Sequence, residues 1–255
     1  KPYAQYIDYK VMRGDLIKND DIKKIQSIYY GMNTFIDQQI GKFFAFLKSK
    51  RLFDNSIIVY LSDHGEYLGE HRMIRKSKSA YDCLIHIPLI VKLMKKNQKK
   101  ICNDLVSIED IYPTICDELN IEPDDDIQGW SFHKACYEKN KLSKSFIYGE
   151  YGAHNTPYDK DRKFYVCKSP FSDDFSPHLK KGGFGKMRFI RTKLWKLVNY
   201  VDDLNELYDL KKDPYELNNL YYNKKYNSII KDLNDQLIKK LTNIPQPDKY
   251  HSKIS

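Results

Sequence analysis

A carboxylate and an imidazole stand side by side directly after an apolar stretch of the sequence. The stretch from Ile57 to Leu61 is apolar throughout, and after one serine come Asp63, His64 and Gly65. A short apolar run rich in β-branched residues indicates a strand buried on both faces, as in a parallel sheet. Both side chains are ligands for divalent metals, and neighbours at the carboxyl end of a strand can reach one ion. The triplet therefore predicts a metal site, although a turn with an Asp cap and a satisfied histidine fits it equally well.

A loop rich in charged residues separates this stretch from a second apolar run at 87–93, which is broken only by Lys92. The second run predicts another buried strand. The loop, residues 66–86, has a mixed charge pattern that can bind an anion; its charged residues include Glu66, Glu70, His71, Arg72, Arg75, Lys76 and Lys78. His86 stands just before the second strand, where a substrate contact and a satisfied histidine are equally consistent with the sequence.

The longer pattern S-D-H-G-E-x-L-G-E-H, followed by R-K, Y-D and H-I-P-L-I-V, resembles the sulfatase branch of the alkaline phosphatase superfamily. The resemblance is strongest to the choline-sulfatase and phosphonate monoester hydrolase type. It implies that Asp63 and His64 bind the active-site metal. It also implies a catalytic, substrate-binding role for Lys76, thirteen positions after the aspartate, with His86 as a further substrate contact. The implied cofactor is one divalent ion: calcium, or manganese or zinc if the enzyme transfers phosphoryl groups.

The order of elements along the chain predicts the fold. An amphipathic pattern predicts a core-packing helix from about 20 to 51, and S-I-E-D at 107–110 predicts a capped helix start. Residues 187–200 alternate apolar and basic side chains, as paired strands do, and a last helix is predicted at 227–242.

The motifs R-T-K-L-W-K-L and E-L-Y-D-L-x-x-D-P-x-E-x-x-N-L resemble the region that follows the main domain of sulfatases. The implied fold class is α/β: an alkaline-phosphatase-like sandwich containing part of a mainly parallel central sheet with flanking helices. A small C-terminal antiparallel sheet and a closing helix follow it. We expect residues 1–135 to be the C-terminal part of the catalytic domain and 136–255 to be the C-terminal subdomain.

The sequence contains no C/S-x-P-S-R motif, which marks the sulfatase nucleophile. The resemblance therefore implies that the nucleophile, a formylglycine or a plain Ser or Thr, lies outside this chain, with two further metal-binding carboxylates. We expect the chain to be the C-terminal portion of a hydrolase, inactive and aggregation-prone by itself. One flank of the 20–51 helix and a long apolar sheet edge should be exposed.

Composition limits the class of protein. Hydrophobic residues make up 41% and charged residues 30% of the 255, which is typical of a globular protein. No apolar run approaches the roughly 20 residues that a membrane-spanning helix needs. The five cysteines (Cys83, Cys102, Cys116, Cys136 and Cys167) form no C-x-x-C pair, which favours a reducing compartment and a cytoplasmic location.

The implied function is that of a sulfuric ester hydrolase, a metal-dependent enzyme acting on a small anionic sulfate ester. A phosphodiesterase or phosphonate monoester hydrolase of the same superfamily is the alternative. The net charge of +9 leaves a non-catalytic basic binding module open as a further alternative. Because the lysines are spread along the chain, we expect a solvated surface and no nucleic-acid partner; self-association into a homo-oligomer stays open.

Overall fold

The computed structural model describes residues 17–77, 79–94, 101–137, 144–152, 187–200 and 204–242. Lys78, Cys167 and most of the N-terminal stretch lie outside these ranges. Within the described ranges, no helix combines the length and apolar character that a bilayer crossing requires. The four cysteines within these ranges are Cys83, Cys102, Cys116 and Cys136, and all four are free.

The first part of the chain contains one long helix, a two-stranded sheet and several short helical segments. Its elements are α1 (Asn19–Ser49), β1 (Ile58–Leu61), a 3-10 turn (Glu70–Arg72), α2 (Asp82–Ile85) and β2 (Leu89–Lys92). A second 3-10 turn (Ile108–Asp110) leads into α3 (Ile111–Leu119), and α4 (His133–Tyr137) follows. The predicted capped start is confirmed, because the Ser107 amide donates to Asp110 Oδ2 over 2.8 Å.

The two apolar runs form strands, but not with the predicted direction or burial. β1 and β2 pair antiparallel, with Ile58 opposite Lys92 and Leu61 opposite Leu89. No residue of either strand is buried, and Ile90 is 64% exposed. Since no other described strand joins this pair, the expected mainly parallel sheet is not confirmed. The burial expected on both faces is not found within the described part of this chain, and the exposed apolar side chains agree with the sheet edge expected of the chain by itself.

Helix α1 follows its predicted period but does not pack into a core. None of its 31 residues is buried, so the prediction of a core-packing helix is wrong. Its large apolar side chains, including Ile28, Phe35 and Phe43, are more than half exposed. The expected exposure of one helix flank is thereby confirmed. One polar contact ties the helix to the loop after β1: Gln26 Nε2 donates to the Leu68 carbonyl over 2.8 Å.

The second part of the chain is a four-stranded antiparallel meander closed by a helix, as predicted. The strands are β3 (Phe146–Tyr151), β4 (Met187–Thr192), β5 (Trp195–Tyr200) and β6 (Glu206–Asp209), paired in chain order. After a 3-10 turn (Lys224–Tyr226), α5 (Asn227–Thr242) lies across the sheet. Its apolar side chains form one core with the inward residues of the strands: Ile190, Leu197, Leu207, Leu233 and Leu237.

The packing of this core predicts that alanine substitutions at two neighbouring residues of α5 affect stability very differently. Leu237 is 4% exposed and Ile238 is 57% exposed. Leu237→Ala should lower the free energy of unfolding by about 2–5 kcal/mol, because it leaves a cavity in the core. The matched variant Ile238→Ala should change it by less than about 1 kcal/mol, since that side chain buries little surface. Urea denaturation followed by circular dichroism measures both, and equal losses would contradict the described packing of α5.

Candidate metal and anion site

The turn after β1 is held by backbone hydrogen bonds to α2. The Gly65 amide donates to the Leu84 carbonyl over 2.7 Å, and the Glu66 amide donates to the Cys83 carbonyl over 3.1 Å. A Cβ atom at residue 65 would lie 1.9 Å from the Cys83 carbonyl oxygen, so glycine alone permits this approach. The two bonds therefore fix the position of the residues that immediately precede Gly65.

Three of the four predicted site residues meet at this turn. His64 Nδ1 lies 2.7 Å from the Gly65 carbonyl oxygen, which can only accept a hydrogen bond, so Nδ1 carries the proton. The lone pair of Nε2 therefore faces outward. Lys76 Nζ lies 2.7 Å from Nε2, and Asp63 Oδ2 lies 3.5 Å from it. The carboxylate of Asp63 is largely exposed, and the imidazole is about one-third exposed.

His86 occupies a different position from the other three. It ends α2, where its amide donates to the Asp82 carbonyl over 2.9 Å, and it is exposed. No hydrogen bond or ion pair among the described residues joins its side chain to Asp63, His64 or Lys76. Its substrate-binding role stays a prediction.

The carboxylate of Asp63 and the Nε2 atom of His64 are suitable ligands for a divalent cation, but they supply only part of its ligand shell. An exposed carboxylate and a neutral imidazole with a free Nε2 lone pair are ordinary ligands for such an ion. Within the described ranges, no group of three or more His, Cys, Asp and Glu side chains is arranged so that it could hold a metal ion. Since Nε2 has one lone pair, it can accept from Lys76 or bind a metal, but not both.

The loop that carries Lys76 is folded around a buried tyrosine that the sequence did not single out. Tyr67 is fully buried, its amide donates to the Arg75 carbonyl over 3.0 Å, and its hydroxyl contacts Ser77 Oγ at 2.7 Å and Ser79 Oγ at 2.5 Å. The imidazole of His71 stacks on Tyr81 with ring centres 3.7 Å apart and so helps to shape the loop.

Several residues of this loop adopt backbone angles that favour glycine. The φ angles are positive at Leu68, His71, Arg72 and Arg75. Such conformations cost about 1 kcal/mol or more each and persist only where surrounding contacts hold them. The buried tyrosine and its hydrogen bonds supply those contacts, so the loop has a defined shape that fixes the approach of Lys76 to His64.

Two family models match the sequence. The sulfatase model matches residues 4–121, and the model for the C-terminal region of N-sulphoglucosamine sulphohydrolase matches residues 178–243. The first includes the metal and anion site, and the second includes β4 to β6 and α5. The chain belongs to the sulfatase family.

Individual relatives agree with this assignment. An arylsulfatase of Clostridium perfringens is 28% identical over 238 residues, covering 92% of this chain and 43% of that protein. Arylsulfatase K of the dog, Canis lupus familiaris, is 30% identical over 252 residues, covering 96% and 42%. The chain thus spans about two fifths of the length of these curated relatives.

A solved structure shares the fold. The phosphonate monoester hydrolase of Agrobacterium radiobacter superposes with a TM-score of 0.70 at 23% identity, covering 89% of this chain and 43% of that one. At this level of identity the match establishes the fold alone, which is alkaline-phosphatase-like.

The close approach at Gly65 gives a direct test of the site. Gly65→Ala should destabilise the protein by about 1–3 kcal/mol, because the new methyl group meets a backbone oxygen that cannot turn aside. It should also weaken metal binding, since Asp63 and His64 move with the turn. The matched control is Gly31→Ala in α1, where a Cβ meets nothing within 4 Å and the change should stabilise the helix by about 0.5–1 kcal/mol.

Urea unfolding and calorimetric titration with Ca²⁺ and Mn²⁺ measure the two effects in the full-length protein. A Gly65→Ala variant with native stability and native metal affinity would show that the turn does not depend on this contact.

Proposed function

We propose that the protein is a metal-dependent hydrolase of small anionic sulfate esters. The observation that carries the proposal is the meeting of Asp63, His64 and Lys76 at the end of β1, in a chain of the sulfatase family. Both named relatives are arylsulfatases, which favours sulfate esters as the substrate class. Because the chain spans only part of those relatives, the activity is proposed for the full-length protein.

Each residue of the site has a distinct role in this proposal. Asp63 and His64 would hold the metal, and the hydrogen bond from Nδ1 to the Gly65 carbonyl orients the imidazole so that Nε2 faces the ion. A bound divalent ion would polarise the ester oxygen. Lys76 would donate to the oxygens of the transferring group and offset the negative charge that develops on them. His86 is proposed as an outer substrate contact.

The nucleophile and the metal are proposed only by class. No part of the 255 residues matches the C/S-x-P-S-R motif, so we assign the nucleophile, a formylglycine or an unmodified Ser or Thr, to residues outside them. Calcium is proposed for sulfate ester hydrolysis, since it suits the carboxylate of Asp63, and manganese or zinc is proposed for phosphoryl transfer. The predicted cytoplasmic location and the possible homo-oligomer stay predictions.

Hydrolysis of phosphonate monoesters or phosphate diesters is the second candidate, since a phosphonate monoester hydrolase shares the fold. The same three residues would serve both reactions, because sulfate and phosphonate esters both develop charge on exposed oxygens. A comparison of kcat/KM for aryl sulfate and aryl phosphonate esters, with Ca²⁺, Mn²⁺ or Zn²⁺ supplied, distinguishes the two. Higher kcat/KM for the phosphonate with every metal would overturn the sulfate assignment.

Variants at the site separate metal binding from anion binding. Asp63→Ala should abolish measurable metal binding and activity, because it removes one of the two ligands that this chain supplies. Lys76→Ala should lower kcat by about 10²–10³, the usual cost of removing one transition-state donor. It should leave metal affinity unchanged or higher, since Nε2 loses its competing partner. The control is Lys212→Ala, at an exposed lysine paired only loosely with Asp209.

Calorimetric titration and steady-state kinetics on the full-length protein measure these effects. Undiminished activity of Asp63→Ala would refute the metal assignment, and loss of metal binding in Lys76→Ala would refute the division of roles.

A further inference from the structure

A buried lysine of the C-terminal sheet reaches the segment that supports the metal turn. Lys196 lies on β5 and is completely buried. Its Nζ donates to the Ala80 carbonyl over 2.7 Å and pairs with Asp82 Oδ1 at 2.5 Å and Glu216 Oε1 at 2.6 Å. The ammonium group thus has one carbonyl as hydrogen-bond acceptor and two carboxylates as ion-pair partners.

The partners of Lys196 are joined to one another. Glu216 Oε2 accepts a hydrogen bond of 2.6 Å from the Asp82 amide, at the first residue of α2. Arg191 on β4 donates to both carboxylate oxygens of Asp82, with Nη2 2.8 Å from Oδ2. We call Lys196, Arg191, Asp82 and Glu216 the buried charge cluster; it contains two cations and two anions and is neutral as a unit.

The pKa values of the two carboxyl groups in the cluster are shifted in opposite directions. Burial alone would raise the pKa of Asp82, but the Arg191 hydrogen bonds and the Lys196 charge outweigh it and lower that pKa to about 2. Burial raises the pKa of Glu216, and Lys196 offsets this only in part. Among the described residues, Oε1 of Glu216 has Lys196 as its single charged partner and accepts no regular hydrogen bond. Removing Lys196 would therefore leave a buried carboxylate without compensation, which is strongly unfavourable.

The cluster is connected to the candidate site through a short series of contacts. It fixes Ala80 and Asp82, and the next two carbonyls, those of Cys83 and Leu84, accept the amides of Glu66 and Gly65. Gly65 lies so close to this segment that an added Cβ atom would be 1.9 Å from the Cys83 carbonyl oxygen. A displacement of α2 must therefore move the turn that carries Asp63 and His64.

We propose that Lys196 is a positioning residue for the metal site: from the C-terminal sheet it holds residues 80–84 where their carbonyls seat the turn at 63–66. The catalytic consequence rests on the proposed sulfatase function, whereas the structural coupling does not. Lys196 touches neither metal nor substrate, so its removal acts through metal affinity and the order of the turn.

The test is Lys196→Met in the full-length protein, which keeps the length of the side chain and removes its charge. We expect hydrogen exchange at the Gly65 and Glu66 amides to become about tenfold faster or more. We also expect the metal concentration for half-maximal activity to rise about 10- to 100-fold, as when a residue supporting a metal ligand is removed. Excess metal should restore part of kcat. The matched control is Lys193→Met, an exposed lysine of the same hairpin paired with Asp104, which should leave both readouts unchanged.

A variant in which the buried charges stay balanced separates the effect of Lys196 on the metal turn from its effect on the stability of the whole fold. In Lys196→Met combined with Glu216→Gln, the buried charges are again balanced, and the carbonyl oxygen of the introduced side-chain amide can still accept from the Asp82 amide. This double variant should recover most of the thermal stability, while exchange at Gly65 and Glu66 stays faster than in the wild type because the Ala80 carbonyl has lost its donor. If the single variant does not fold, this double variant decides the question.

Wild-type exchange at both amides in a folded Lys196 variant would overturn the coupling. Faster exchange in a protein that hydrolyses neither sulfate nor phosphonate esters would uphold the coupling and refute the proposed function instead.

Discussion

The site depends on a close approach between two backbone segments at Gly65. With no side chain there, the strand end lies against α2, and the amides of Gly65 and Glu66 find partners in the Leu84 and Cys83 carbonyls. The imidazole of His64 then has little freedom to rotate, because its Nδ1 donates a hydrogen bond to the Gly65 carbonyl. A single small residue thus fixes both the turn and the tautomer that leaves Nε2 available to a metal.

The two parts of the chain are joined by charge as well as by apolar packing, in which Tyr67 and Tyr81 meet Tyr208, and Ala80 meets the strands β4 and β5. α5 and the antiparallel sheet bury their own set of aliphatic residues, while Lys196 crosses to Asp82 and Glu216 to anchor α2. Burying four charges is costly, and such clusters are often no more stabilising than apolar replacements. Their directional contacts, however, define one relative position for the joined segments, which suits the support of a metal site better than non-directional packing does.

Local patterns in the sequence predicted local structure well. The S-I-E-D cap and the alternation at 187–200 gave a helix start and two paired strands, because capping and pleating depend on neighbours in sequence. Strand direction was not predictable, since an apolar run such as 57–61 reads the same in parallel and antiparallel pairs. The meeting of Lys76 with His64 was expected from the family resemblance alone. Lys196 was missed because its partners Asp82 and Ala80 are more than a hundred residues away in sequence.

The most direct test of this account is anomalous diffraction from crystals of the full-length protein soaked in Mn²⁺. We expect one strong peak about 2.0–2.6 Å from a carboxylate oxygen of Asp63 and from His64 Nε2, with Lys76 Nζ turned away from that nitrogen. A peak elsewhere in an active crystal, with Lys76 still hydrogen-bonded to Nε2, would contradict the assignment of these two residues as metal ligands.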